Sequence, residues 1–323
     1  MAFDISGFRT TGALADFSLR AANEMTDFIA DEVFTPCLIP KAQFKYYQYD
    51  LSNYREVETQ KSSKAAADKV DYGAFSASSK AELHKLAVDV DPQDIRDADE
   101  AVADLEQDGA LTVMERLMIR RERIMAGIVS TTANYNSGLL ATLGAGLKWS
   151  DAGGDPENDC VIAKRAVKNI CGRLPNALAL SWSSWLALSQ SSALKDRIKY
   201  TSGASLTIEQ VKNLLQLDFL HIDKAQFNAN VEGNATQGLS DIWGTYALFY
   251  VKDPSQRLRT VTYGRNFVVN KFTTFQYEDP ERGGPEGRMR VIESSWEYVM
   301  RNTTLDSQAG AKIGAGYLLQ GII

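Results

Sequence analysis

The chain of 323 residues is poor in the side chains that build metal sites, redox sites and general-base catalysts, with only two histidines and three cysteines. No pair among Cys37, Cys160 and Cys171 has CxxC spacing, which favours a reduced, cytosolic protein over a zinc or disulfide scaffold. No apolar run approaches the roughly 18 residues of a membrane helix, and the N-terminus lacks the features of a signal peptide. We therefore expect no metal site, no membrane span and no secretory leader.

Motifs for nucleotide binding and catalysis are missing or incomplete. Gly144-Ala145-Gly146 lacks the third glycine of a dinucleotide-binding loop, and the sequence contains no GKS or GKT. Ser192 and Lys195 fit the short SxxK pattern of some serine acyl enzymes, but the companion motifs SDN and KTG are absent. We predict no catalytic, cofactor-binding or metal-binding residues and no enzymatic activity. A soluble α/β enzyme using Ser192 and Lys195 stays open as an alternative.

Composition and charge are those of an ordinary globular protein. Hydrophobic residues make up 44% of the chain and charged residues 24%, and its length predicts two domains or one elaborated domain. With 35 basic and 41 acidic side chains, the net charge is −6. An acidic chain is not expected to bind nucleic acid avidly and non-specifically, because that affinity comes from Lys and Arg neutralising phosphates.

The titratable and charged clusters have simple structural interpretations. His84 and His221 each lie in a predicted strand with apolar neighbours and are expected to be half-buried. Residues 89–108 carry nine carboxylates against one arginine, which indicates a solvated helix face more than a site for a divalent cation. A row of arginines farther along could meet phosphates or an acidic neighbour, although solvation or ion pairs within the subunit are favoured: Arg116, Arg120 and Arg123.

Periodicity predicts a helix near Leu14 to Met25, a helical turn over Phe28–Phe34, and a long helical rod over residues 92–131. Asp91-Pro92 provides the helix start, and Asp108-Gly109 is expected to interrupt the rod. Strand and helix signals then alternate over 155–265, which predicts an α/β subdomain. The predicted helices of this subdomain run from Pro156 to Gly172, over Trp182–Leu188, and onward from the capping box Thr207–Gln210. Its predicted strands are Ala177–Leu180, Phe219–Ile222 and Ile242–Val251. Strands at Phe267–Phe275 and Met289–Arg301 and an apolar tail at Leu318–Ile323 are predicted to follow.

The segment from Phe44 to Val90 has the pattern of a projecting hairpin. It opens with an aromatic strip up to Asp50 and closes with a strand, Leu86–Val90, whose apolar and polar residues alternate. The stretch between them, Glu56 to Ala81, is polar and rich in Ala and Ser. Loops this long without a core of their own are usually functional or disordered, and aromatic residues are scarce in disordered segments. We therefore interpret 44–90 as an arm that lies on another molecule.

Several local phrases, in their order and spacing, resemble the major capsid proteins of tailed bacteriophages, whose fold is shared with encapsulins and the herpesvirus capsid floor. The phrases are Phe28–Phe34 followed by Pro36, the strip Tyr46–Asp50, the rod 92–131, Arg173–Leu178 running into Trp182 and Trp185, Leu194–Tyr200, and Asp241–Gly244. The resemblance implies an α+β fold with an N-terminal arm at 1–43, an extended E-loop at 44–90, a peripheral domain with a spine helix at 91–154, an axial domain at 155–265, and a return to the peripheral domain at 266–323.

The resemblance also implies the function and the partners. It implies a structural virion protein that self-assembles, through hexamers and pentamers, into an icosahedral shell around double-stranded DNA. A separate scaffold protein, a portal and decoration proteins would be further partners, with assembly in the host cytoplasm. Some relatives cross-link the E-loop through a lysine, but no motif aligns Lys61 or Lys64 with that chemistry. An encapsulin-type compartment loaded with an enzyme is the nearest alternative of the same fold.

Overall fold

The computed structural model of the protein describes residues 27–49, 56–63, 65–69, 74–91, 93–94, 105–198, 206–230, 238–255, 260–279, 288–303 and 314–323. Two β-sheets and one long helix organise this part of the chain. The predicted helix near Leu14 to Met25, the predicted helix start at Pro92 and residues 95–104 of the acidic stretch lie outside the described residues. Among the described residues, no helix is long and apolar enough to cross a bilayer.

The first sheet has four strands in the order β1-β11-β12-β4. Their bounds are Thr35–Leu38 (β1), Glu82–Val90 (β4), Gly264–Asp279 (β11) and Met289–Asn302 (β12). β12 lies antiparallel to both β11 and β4, and β1 runs parallel to β11. The strands predicted at Phe267–Phe275 and Met289–Arg301 are therefore confirmed, and the first of them is longer than predicted. Burial along β4 alternates as predicted, so that His84 is half-buried and Lys85 is exposed.

The predicted hairpin exists, but its returning leg is a different segment. The aromatic strand Gln43–Tyr49 (β2) pairs with Ala74–Lys80 (β3), from Gln43 opposite Lys80 to Tyr49 opposite Ala74. Leu86–Val90 was the wrong partner, because it belongs to β4 in the four-stranded sheet. The error comes from β3 itself, a strand of Ala, Ser, Phe and Lys whose small polar residues gave a weak hydrophobic signal.

The spine helix, Leu105–Ser130 (α2), is the longest helix among the described residues. The predicted interruption at Asp108-Gly109 is wrong, since the helix continues through both residues. A Cβ at Gly109 would lie 3.0 Å from Val88 Cγ1 and 3.2 Å from Ile292 Cδ1. The glycine therefore allows the helix to approach the four-stranded sheet closely, and it does not break the helix.

The second sheet has five strands in the order β5-β13-β10-β6-β7. Their bounds are Leu140–Thr142 (β5), Ala177–Ser181 (β6), Phe219–Asp223 (β7), Tyr246–Tyr250 (β10) and Gly316–Gln320 (β13). β6 and β10 are buried along their whole length, which confirms the prediction of a buried strand at Ala177–Leu180. The segment predicted as an apolar tail is instead an inner strand, since β13 lies between β5 and β10.

Shorter helices accompany the two sheets, and the ends of two of them follow the predicted signals. Their bounds are Ala30–Val33 (α1), Pro156–Cys171 (α3), Trp182–Gln190 (α4), Ser192–Ile198 (α5) and Ile208–Leu214 (α6). The Asp155 carboxylate caps α3, and Gly172 ends it at a φ of 73°. Thr207 and Gln210 form the predicted capping box of α6. A small hairpin, Gln226–Asn228 (β8) with Leu239–Asp241 (β9), stands beside α4, and a turn separates it from β10 where a continuous strand at Ile242–Val251 was predicted.

Replacing Gly109 with valine is expected to lower the free energy of unfolding by about 1–3 kcal/mol, the usual cost of overpacking a close contact. Gly127 is the matched control in the same helix, because a Cβ there would have no neighbouring atom within 4 Å. Gly127→Val should be close to neutral. Urea unfolding followed by circular dichroism measures both, and equal effects at the two positions would contradict the packing role of Gly109.

Candidate assembly surfaces and buried junction

The base of the β2–β3 hairpin is fastened to the four-stranded sheet by aromatic packing. The ring centroids of Phe44 and Tyr46 lie 4.5 and 5.4 Å from that of Phe267, and these side chains form a small core with Val299. Arg301 Nε donates a hydrogen bond to Ser79 Oγ at 3.0 Å. The hairpin is thus anchored by one face at its base.

Most of the other described residues of the arm face solvent. Residues 56–63 and 65–69 are all exposed, and so are Lys45, Tyr47 and Lys80 on the outer face of the hairpin. Lys61 forms an ion pair with Asp68 at 2.8 Å, and Lys64 lies outside the described residues. A long exposed segment on an anchored base has the form of an element that binds a second surface.

A buried carboxylate in the second half of the spine helix holds three hydrogen-bond donors. Glu122 accepts hydrogen bonds from the backbone N–H groups of Ile29 (3.3 Å) and Ala30 (3.0 Å), and from Trp243 Nε1 (3.4 Å). The donors from residues 29 and 30 lie at the start of α1, where the helix dipole favours a negative charge. Burial raises the pKa of Glu122 to about 7, although Arg121 and the three donors oppose that rise.

The neighbouring Arg121 is buried as well. Its guanidinium pairs with Asp31 of α1 and lies over the ring of Trp296, 4.3 Å from the centroid, with Tyr298 at 5.8 Å. Burial lowers the pKa of Arg121 to about 10, so the side chain remains charged at neutral pH. Arg121 therefore joins α1 and the spine helix to strand β12.

A second buried carboxylate, Asp223, lies at the end of β7 close to the same junction. It accepts a hydrogen bond from the Ala225 N–H at 3.3 Å and is only 1% exposed. Burial and the nearby Glu122 charge raise the pKa of Asp223 to about 8. The junction thus holds two carboxylates whose ionised forms repel each other in a poorly hydrated environment.

A third polar group ties α1 to the five-stranded sheet. The buried Lys252 ammonium pairs with Glu32, lies 3.3 Å from His221 Nε2, and stacks 4.6 Å from the centroid of the Phe219 ring. Although burial opposes it, Lys252 holds the pKa of Glu32 below its ordinary value. Burial and Lys252 together lower the pKa of His221 to about 4. His221 is therefore a neutral structural histidine, as predicted.

The structure does not assemble the other candidate residues into a catalytic site. Ser192 and Lys195 are both exposed on the short helix α5, where solvent screens the interactions that would activate a nucleophile. His84 stacks on Tyr298 with ring centroids 4.6 Å apart and is half-buried, which agrees with the predicted position in the strand. Among the described residues, no group of three or more His, Cys, Asp or Glu side chains could hold a metal ion.

The three cysteines are buried and form no disulfide with one another, and burial raises the pKa of each thiol, that of Cys160 to about 11. They are therefore poor nucleophiles. Arg116, Arg120 and Arg123 are exposed, in agreement with a solvated row. Sequence reasoning missed Arg121 and Glu122, which sit inside this arginine-rich stretch and differ from their neighbours only by the helix face on which they lie.

Comparison with solved structures identifies the fold of this chain. No protein-family model matches the chain. The crystal structure of a phage-related protein from Bordetella bronchiseptica RB50 has a TM-score of 0.74 at 20% identity and covers 98% of both chains. The capsid structure of the cyanophage P-SCSP1u gives 0.56 at 11% identity, over 91% of this chain and 88% of that one. A virus-like particle from Pyrococcus furiosus gives 0.54 at 13% identity, over 96% and 99%. The fold is that of the phage capsid proteins.

Two curated proteins are similar to the chain in sequence as well. The major capsid protein of Burkholderia phage BcepMu is 25% identical over 300 residues, 92% of each chain. The major capsid protein of Pseudomonas phage JBD67 is 26% identical over 280 residues, 84% of this chain and 87% of the relative. The chain is therefore a homologue of phage major capsid proteins along nearly its whole length.

The variant Asp223→Asn is expected to be more stable than the wild type at high pH. The unfolded chain loses the Asp223 proton near pH 3.8, whereas the folded chain keeps it to about pH 8, so the wild type is progressively destabilised between these values. The advantage of the variant should grow with pH across this window, by up to about 1.4 kcal/mol per pH unit. Urea unfolding at several pH values measures it, with the exposed Asp196→Asn as control. A pH-independent difference would contradict the junction described here.

Proposed function

We propose that this chain is a structural subunit that assembles into the icosahedral shell enclosing the double-stranded DNA of a phage. The observation that carries the proposal is the near full-length homology to two phage major capsid proteins, together with the shared fold. The exposed arm, anchored at its base on the four-stranded sheet, supports it because an element of this form can lie across a neighbouring copy. The protein would be located in the virion, and it would assemble in the host cytoplasm.

The surface of the five-stranded subdomain also suits contacts between copies. Large apolar side chains are exposed on two helices, Val161 (47%) and Ile162 (44%) on α3, and Trp182 (44%) and Leu186 (42%) on α4. Exposed apolar patches mark contact surfaces, and contacts between different patches of identical copies close into rings when the rotation allows. Individually weak contacts are sufficient in a closed array, because each subunit is held by several neighbours at once.

The division into arm, E-loop, peripheral and axial domains remains part of the proposal. The four-stranded sheet with the spine helix would form the peripheral domain, and the five-stranded sheet with α3–α6 the axial domain. The five-stranded sheet also includes β5 and β13, which lie outside 155–265. A separate scaffold protein and a portal would complete the assembly, and the acidic net charge suits a container that must release its DNA.

Purified protein, with and without its scaffold, is expected to form closed particles visible by negative-stain electron microscopy. The double variant Ser192→Ala/Lys195→Ala should form the same particles, because these exposed side chains would have no catalytic role. Small discrete oligomers under all conditions would refute the shell function. A substrate turnover lost in the double variant would favour the enzyme alternative, and particles filled with an enzyme rather than DNA would favour the compartment.

Replacing residues 50–73 with a short Gly-Ser turn is expected to leave a folded subunit that assembles poorly or into heat-sensitive particles. The β2–β3 pairing and the packing of its base are retained, so stability of the isolated subunit should change little. Particle yield and melting temperature measure the effect, and circular dichroism of the unassembled subunit is the control. Unchanged yield and heat resistance would contradict an interface role for the arm.

A further inference from the structure

A groove of about 590 Å³ lies at the base of the β2–β3 hairpin, where the arm joins the four-stranded sheet. Both strands contribute to its walls, which are formed by Gln43, Phe44, Lys45, Ser78, Ser79 and Lys80. Lys45 lies opposite Ser78, and Gln43 lies opposite Lys80. The two lysines are therefore diagonal neighbours across the strands, about 7–8 Å apart. Both of them are exposed.

Positive charge gathers at this groove. Arg301 Nε donates a hydrogen bond to Ser79 Oγ at 3.0 Å, which places a third cation at its wall. Among the residues that the structure describes, no carboxylate forms an ion pair with Lys45, Lys80 or Arg301. Glu82, two residues beyond Lys80, belongs to the opposite face of the four-stranded sheet, on the side of the spine helix. The groove is thus suited to a carboxylate-bearing surface that comes from outside.

The other end of the same sheet is acidic. Three exposed carboxylates lie near the last residue of β4, those of Asp91, Asp94 and Asp108. A Cβ at Gly109 would lie 3.7 Å from Val90 Cγ2, which places the neighbouring Asp108 beside the end of this strand. Within the described ranges, none of the three aspartates forms an ion pair.

The arginines at this end offset its charge only in part. Arg290 pairs with Glu106, so that these two side chains neutralise each other. Arg288 is exposed and can offset one further carboxylate. The end of β4 therefore keeps a negative charge, which is called the acidic end below.

The basic groove and the acidic end are too far apart to pair within one chain. β4 separates them, and it extends about 27 Å from Glu82 to Val90 at about 3.4 Å per residue. That distance is more than a lysine and an aspartate side chain can bridge. Opposite charges at the two ends of one strand instead favour a contact between copies, in which complementary potentials fix the register. Such a contact joins two different patches and is therefore head-to-tail.

We propose that the groove at the base of the arm receives the acidic end of a second copy, with Lys45 and Lys80 facing Asp94 and Asp108. Each copy then offers its own acidic end to a further neighbour, so the contact repeats along the array. The inference rests on the proposed function, because it names one contact of the proposed shell. It uses the base of the hairpin, which the replacement of residues 50–73 leaves in place.

Charge reversal in the full-length chain tests the pairing. Lys45→Glu/Lys80→Glu is expected to raise the protein concentration at which particles form by about 5- to 20-fold at low salt, because each exposed ion pair contributes up to about fivefold in affinity. The effect should shrink in high salt, which screens exposed charges. Asp94→Lys/Asp108→Lys should act in the same way, and the variant that combines all four changes should restore assembly.

The controls separate this pairing from folding and from net charge. Asp91 is left unchanged in every variant, because its carboxylate accepts a hydrogen bond from the Gln93 N–H at 2.8 Å. Arg116→Glu/Lys195→Glu removes two exposed cations elsewhere with the same change in net charge and should assemble like the wild type. Circular dichroism of each unassembled subunit verifies its fold. Failure of the combined variant to recover assembly, or an equal loss in the control, would overturn the proposal.

Cross-linking between two singly substituted chains gives a second, independent measurement. Chains with Lys80→Cys are mixed with isotope-labelled chains with Asp94→Cys and treated with a short thiol-specific cross-linker, and peptide mass mapping identifies the labelled and unlabelled pairs. The native cysteines are buried and common to all samples. The pair 80–94 should form several-fold more often than the pair 80–196 in a control mixture with Asp196→Cys, an exposed position on α5. Equal yields would refute the contact.

The contact and the shell function fail in different ways. Closed particles without the 80–94 cross-link would refute the contact and leave the shell function standing. Cross-linked open chains that never close into particles would support the contact and refute the shell. Protein that neither cross-links at these positions nor forms particles at any concentration would refute both.

Discussion

The arrangement of the molecule depends on one buried charge. Glu122 cannot be left unpaired in a poorly hydrated interior, where an isolated carboxylate is several kcal/mol less stable than in water. Its hydrogen-bond donors come from two separate parts of the chain, the start of α1 and Trp243 before β10. Because Arg121 adds Asp31 and the β12 aromatic residues, the same turn of helix fixes both sheets relative to the N-terminal segment.

Local signals in the sequence were sufficient where the physical cause is local. Asp155 with Pro156, the glycine at 172 and the Thr207–Gln210 box act within one helical turn, and the structure has helix ends at each of them. Non-local causes could not be predicted in this way. Gly109 looks like a helix breaker until the side chains of Val88 and Ile292 are seen against it. The polar strand β3 forms because β2 is available to pair with it, which its own composition does not reveal.

The functional surfaces also divide into one that local sequence signals predict and one that only the fold reveals. The polar, aromatic-edged stretch after residue 44 was recognisable as an arm, and the exposure of its described residues agrees with that prediction. The junction at Arg121 and Glu122 was not recognisable, because charged residues in a helix are usually solvated and only the tertiary fold shows which face is buried. A capsid subunit of this kind is defined by exposed contact surfaces on a rigid frame. Short sequence motifs of the kind that identify catalytic sites therefore do not reveal it.

The position of β13 affects how the subunit is made. This strand, residues 316–320, lies between β5 and β10, and the Lys148 ammonium bonds the Ile323 carbonyl at 2.7 Å beyond it. During translation, domains generally fold from the N-terminal side as the chain emerges from the ribosome. Here the five-stranded sheet has a gap at an inner position until residues 316–320 have left the exit tunnel. The contact surfaces that this sheet would support are therefore completed only after strand β13 has been made.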